Sequence, residues 1–145
     1  IIHLLKQQQV DASMLYTSDH GEDIFDDGRH LFLHASPVPS YYQLHVPLLL
    51  WTSDSYREEY PGIEKAASMN RQKNISSSIS FFQTMMELAG IETPYRNDSL
   101  SVTSPLYTEK SRVYLNDHNE PRPLDDIGMR KEDFEMLKKR GIDAQ

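Results

Sequence analysis

Apolar residues at positions 1, 4, 5 and 10 recur at roughly helical spacing, which predicts a helix over residues 1–9. At residue 13 the pattern changes to a β-type run, 13–17, that stops at Asp19-His20-Gly21. Helix followed by strand is half of an α/β repeat. A second strand is predicted over residues 46–52. It is apolar at nearly every position, as expected of a parallel-sheet strand covered on both faces. Residues 18–42 between the strands are polar and broken by Gly28, Pro37 and Pro39. Loops of that length in compact domains are mostly functional or disordered, and the position just after an Asp-His pair favours function.

Residues 53–67 predict a short surface helix interrupted near Pro61-Gly62, followed by a polar connection over 69–74. Ser76, Ser77 or Ser78 can cap the next helix, whose apolar face is assigned to Ile79, Phe82, Met85, Met86 and Ala89, with Gly90 as its C-terminal stop. Residues 92–110 read as a loop, 112–115 as a short strand and 121–127 as irregular chain. Residues 130–140 form an amphipathic helix with Phe134 and Leu137 inward, closed by Gly141. This order predicts an α/β fold of three α/β/α layers around a largely parallel sheet.

The 145 residues suit one domain or part of a larger one, and the chain opens inside a helix without a start signal. It is read as the C-terminal piece of a longer protein. The net charge of −7 argues against a nucleic-acid partner, because phosphate binding needs clustered Lys and Arg. The short run Lys138-Lys139-Arg140 is better explained as a solvated helix end. With no cysteine, disulfides and thiolate zinc sites are excluded. No run approaches the roughly 18 apolar residues of a membrane span.

Asp19 and His20 carry the sharpest chemical signal. A carboxylate and an imidazole at the end of a strand are good ligands for a divalent metal, and open α/β sheets bind ligands outside the carboxyl ends of their strands. Gly21 allows the turn that lets adjacent side chains converge. The bland alternative is a strand-end turn with a capping Asp and a surface His. Glu22 either supports His20 as an acceptor for its second ring N–H or caps the following turn. Asp23, Asp26 and Asp27 lack the ligand spacing of a calcium loop and read as solvated. His45 reads as structural, Tyr41 and Tyr42 as packing residues, and Asp117-His118-Asn119 as an ordinary polar cluster.

Ser18-Asp19-His20-Gly21-Glu22, then Leu33-His34-Ala35-Ser36-Pro37, then His45-Val46-Pro47-Leu48-Leu49-Leu50-Trp51, resembles in that order the sulfatase-like branch of the alkaline phosphatase superfamily. Within it the likeness is to bacterial phosphoethanolamine transferases, and it runs over about residues 1–91. The resemblance implies that Asp19 and His20 bind zinc, with manganese or calcium as other candidates. It implies that His34 contacts the substrate phosphate, with His30 as the competing choice. The glycine-to-histidine spacing requires an insertion for His34. A further Glu ligand and the nucleophilic Thr are implied to lie upstream.

The implied reaction moves phosphoethanolamine from a phospholipid donor to lipid A or another cell-surface glycan through a phospho-threonine. An N-terminal segment would anchor the protein in the bacterial inner membrane, with the catalytic domain in the periplasm. A sulfatase or phosphodiester hydrolase of the same superfamily, and a non-catalytic surface domain, are the alternatives. Several members of the group carry disulfides, and this chain departs from them in having none.

Overall fold

The computed structural model describes residues 1–34, 38–116, 118 and 120–142. Residues 35–37 of the second motif, and Asp117 and Asn119 of the polar triplet, lie outside them. The elements in chain order are α1 (Ile2–Gln8), β1 (Ser13–Thr17), β2 (Asp23–Ile24), β3 (Phe32–Leu33), α2 (Tyr41–Leu44), β4 (Leu48–Thr52), α3 (Asp54–Glu59), α4 (Pro61–Asn70), α5 (Ser77–Leu88), β5 (Val113–Leu115), β6 (Pro121–Pro123) and α6 (Lys131–Lys139). They group into two compact units. One comprises Ile1–Thr17 and Leu48–Lys110, the other Ser18–Pro47 and Ser111–Gln145.

In the first unit, β1 and β4 pair in the register Ser13↔Thr52 to Thr17↔Leu48. The two strands are those expected, but they run antiparallel, and parallel pairing does not hold for them. A run of apolar residues reports burial and carries no information on strand direction. Nor is β4 covered on both faces: Leu49 is exposed and only Thr52 is fully buried. Among the described residues β1 is its one neighbouring strand.

The interrupted helix of the sequence reading is two helices, with Pro61 opening α4, where its missing N–H costs nothing. Helix α5 starts after Ser76 and ends at Gly90, which adopts a left-handed φ of 62°. The buried stripe of α5 differs from the expectation. Ser80, Thr84 and Leu88 are buried, whereas Phe82 and Met85 are exposed. The reason lies in residues 101–104, which run through the interior and bring backbone polar groups that must be paired. Thr84 Oγ1 accepts from the Val102 amide at 3.0 Å. The Asn70 side chain donates to the carbonyls of Val102 (3.0 Å) and Ser104 (2.8 Å). An apolar residue at position 84 could not accept from the Val102 amide.

In the second unit the core is Tyr41, Leu124, Ile127, Met129 and Leu137, with Phe134 packed against it. The inward face predicted for α6 is therefore the observed one, and Tyr41 packs as expected. Residues 121–127, expected to be irregular, contain β6 and a 3₁₀ turn. Strand β6 pairs antiparallel with β5 despite Pro121 and Pro123. With no third strand on that sheet among the described residues, prolines at an edge forfeit little. The loop expected over residues 18–42 holds a second small hairpin, β2 against β3, and the start of α2.

Candidate metal and phosphate site

All the candidate residues belong to the second unit and begin two residues after β1 ends. The turn at Gly21 is set by backbone proximity. Its N–H donates to the Gln43 carbonyl at 2.8 Å, and a Cβ there would stand 1.9 Å from the Tyr42 carbonyl oxygen. Only glycine admits this approach. The turn brings Asp19 and His20 together: Asp19 Oδ1 accepts from the His20 amide at 3.1 Å, and Asp19 Oδ2 is 3.8 Å from His20 Nε2. The Asp19 side chain is 88% exposed and that of His20 40%.

His20 Nδ1 lies 3.0 Å from the Gly21 carbonyl. A carbonyl can only accept, so a neutral imidazole bonded there carries its proton on Nδ1 and leaves the lone pair of Nε2 toward Asp19. Two donor atoms 3.8 Å apart lie within the span of two ligand bonds of about 2 Å each. This oxygen and nitrogen pair fits a divalent ion such as zinc.

The β2–β3 hairpin adds the remaining groups. Its register pairs Asp23 with Leu33 and Ile24 with Phe32, so Glu22 and His34 fall opposite each other just beyond the ladder. Glu22 Oε1 is 2.6 Å from His34 Nδ1 and 3.6 Å from His20 Nδ1. The rings of His20 and His34 lie 3.8 Å apart between centroids. His20, Glu22 and His34 each offer a ligand atom within 4.8 Å of the others. Glu22 Oε2 is a buried atom with no hydrogen-bond partner among the described residues. An orphaned carboxylate oxygen beside two imidazoles also fits a cation. Of the two roles considered for Glu22, the geometry favours support of a histidine, and the histidine it holds more closely is His34.

His30 is not part of this cluster. It sits at the hairpin tip with φ of 55°, its ring 6.5 Å from that of Phe25. His45 has a structural contact, its Nδ1 2.6 Å from the Tyr41 hydroxyl. Burial holds the His45 imidazole below its usual range, with the charges of Arg140 and Arg112 adding to the effect.

Two of the three acidic residues read as solvated are not. Asp23 is buried and accepts from Ser40 Oγ (2.7 Å) and Gln43 Nε2 (2.5 Å). Asp27 is gripped by Arg29, whose side-chain and backbone hydrogen bonds hold the Asp27 carboxyl below its ordinary range. Arg29 in turn donates to Asp133 from both terminal nitrogens, at 2.7 and 2.9 Å, and these bonds raise its own pKa. Arg29 and Asp133 were invisible to sequence reasoning: 104 positions separate them and neither sits in a motif.

Comparison with known proteins places the chain. A family model described as Sulfatase matches residues 1–91. Phosphoethanolamine transferase EptA of Salmonella typhimurium is 33% identical over 109 residues, covering 72% of this chain and 19% of that protein. The chain thus spans about a fifth of the length of that curated relative. Among solved structures, the C-terminal periplasmic domain of EcEptC from Escherichia coli aligns with a TM-score of 0.67 and 26% identity, over 77% of this chain and 31% of that one. The same domain solved as a complex with Zn aligns with a TM-score of 0.58 and 23% identity, over 77% and 30%. The expected alkaline phosphatase-like α/β class is therefore borne out, the antiparallel pairing of β1 and β4 being a feature of this portion of it. The chain belongs to the sulfatase family, in the branch of the phosphoethanolamine transferases.

Proposed function

We propose that this chain is the C-terminal part of the catalytic domain of a metal-dependent phosphoethanolamine transferase. The observation that carries the reading is the convergence of Asp19, His20, Glu22 and His34 around one glycine turn and one hairpin. The reaction moves the phosphoethanolamine group of a phospholipid to lipid A or another cell-surface glycan. It passes through a phospho-threonine whose Thr, with a further Glu ligand, belongs to upstream sequence. The catalytic domain works in the periplasm, held at the inner membrane by an N-terminal anchor.

Asp19 and His20 hold the ion. When bound, a divalent ion polarises a phosphoryl oxygen and favours the ionised form of a nucleophilic hydroxyl. The rest belongs to the chain's own side chains. The Gly21 carbonyl fixes the His20 ring, so that Nε2 is the ligating atom. Glu22 accepts from Nδ1–H of His34, and the imidazolium form of His34 also carries Nε2–H, which can donate to a phosphoryl oxygen and offset its growing negative charge. Zinc is the proposed metal, because its preferred donors are nitrogen and carboxylate oxygen once thiolates are excluded.

The test uses this chain joined to its upstream sequence. Vesicles containing phosphatidylethanolamine labelled in the headgroup are supplied with lipid A. Label should pass to lipid A, chelation should stop transfer, and His34→Ala should lower the rate about 10²-fold or more. Label released only as free phosphoethanolamine would instead make the protein a hydrolase. Full transfer by His34→Ala would remove His34 from the phosphate site.

A further inference from the structure

The Glu22–His34 pair is held by very little local structure. Strands β2 and β3 have two residues each, and a lone hairpin of that size is marginal in water. Its outward residues, Ile24, Phe25 and Phe32, are exposed and do not dock it on a core. Among the described residues, three of the four non-glycine positions with positive φ, Phe25, His30 and Leu33, lie on it. Such conformations persist only where surrounding structure imposes them. Something outside the hairpin must therefore set its position.

Two anchors do so. At the base, Asp23 is bonded to Ser40 and Gln43, next to and within α2. At the tip, Arg29 closes a two-pronged bridge onto Asp133 in the first turn of α6. The same carboxylate accepts from the Tyr41 amide at 2.9 Å, so it fixes the first residue of α2 as well. One side chain, 1% exposed, thus ties together the hairpin tip and the helix that grips the hairpin base. It comes from residues 131–139, outside the segment matched by the sulfatase model.

We infer that Asp133 is a positioning residue for the metal and phosphate site. Through Arg29 and the Tyr41 amide it sets the placement of Glu22 and His34, which makes the C-terminal helix part of the functional apparatus. A buried ion pair of this kind is weak evidence for stability, since apolar replacements of similar volume are often neutral. What such an apolar pair cannot reproduce is the directed fork that fixes where the hairpin sits. The inference rests on the functional reading above, and the experiment separates the two.

This chain joined to its upstream sequence is titrated with zinc sulfate by calorimetry, beside Asp133→Asn, Arg29→Lys and the paired Arg29→Met/Asp133→Leu. Thermal midpoints are recorded in parallel. Each single variant should bind zinc 10- to 100-fold more weakly, the usual cost of losing an outer support of a ligand. The paired variant should recover part of the midpoint, the Tyr41 amide still lacking its acceptor, and none of the affinity, an outcome that a purely structural role does not give. Zinc affinity that recovers with the midpoint, or folded single variants that bind like the parent, would overturn the inference. If the parent binds no zinc, the metal reading falls by itself. The variants are then read by the Nδ1 proton of His34, hydrogen-bonded to Glu22, in NMR spectra at low temperature. Its loss in Asp133→Asn supports the positioning role and its persistence defeats it.

Discussion

The two units bury polar groups in different ways. In the first, the interior around residues 101–104 is satisfied by neutral groups and one carboxylate: Asn70 and Thr84 pair with backbone, while Ser101 and Thr103 donate to Glu87, which lies 3.9 Å from Arg96. In the second, charge does the work. Arg29, Asp27 and Asp133 form a linked set, and Asp23 anchors a hairpin. Neutral bonds to backbone hold a path through an interior. A charged fork fixes orientation, at the cost of burying ions that must stay paired. The unit in which a fully buried carboxylate forks onto an arginine is the one that carries the candidate site, where ligand atoms need tightly set positions.

The sharpest way to break this contrast is at Gly21. Gly21→Ala would drive a methyl into the Tyr42 carbonyl, so the turn could not close as it stands. The expected effect is a loss of about 4 kcal/mol or more in stability of the second unit. Urea melts followed by NMR signals from each unit would reveal it. A smaller effect should appear in the first unit with Asn70→Ala, which removes the side-chain donor to the Val102 carbonyl and leaves the Ser104 carbonyl to the Tyr107 amide. The cost is about 1–3 kcal/mol. The variant should keep its zinc affinity, because Asn70 belongs to the other unit. A parallel loss of zinc binding would show that the two interiors do not act separately.

Acid should also distinguish the units. Burial lowers the His45 pKa from 6.5, and Arg29 lowers that of Asp27 from 3.8. Both groups therefore hold fewer protons folded than unfolded as the pH falls, which makes stability rise with pH in those windows. The second unit should lose stability first as pH drops below 6.5 and again below 3.8, each time as pH passes through the lower folded value. Hydrogen exchange measured at pH 7, 5 and 3 would detect it. His45→Gln should remove the upper window and leave the lower one. Equal acid response in both units would erase the contrast.

Local chemistry was readable in the sequence wherever it was local in fact. The run 13–17, the stop at Gly90 and the inward face of α6 depend on nearest neighbours and were predicted from them. The convergence of Asp19 with His20 was legible because a glycine turn creates it between adjacent residues. The nearness of Glu22 and His34 depends on a hairpin too short to leave a periodic signal. The antiparallel direction of β1 and β4 depends on the path of the whole chain. The buried Ser80–Thr84 stripe of α5 could not be read from apolar periodicity, because Thr84 is there to accept from the Val102 amide and to donate to the Ser80 carbonyl. Asp23 and Asp27 looked solvated since their partners, Gln43 and Arg29, carry no motif.

The central claim is that Asp19 and His20, supported by Glu22 and His34, grip a divalent cation. Zinc stoichiometry and affinity, measured on this chain joined to its upstream sequence, with and without Asp19→Ala or His20→Ala at one pH, address it directly. The parent should bind one zinc tightly enough to survive buffer exchange, and each variant should bind at least 10-fold more weakly with its thermal midpoint intact. Equal zinc binding by the parent and His20→Ala would contradict the assignment.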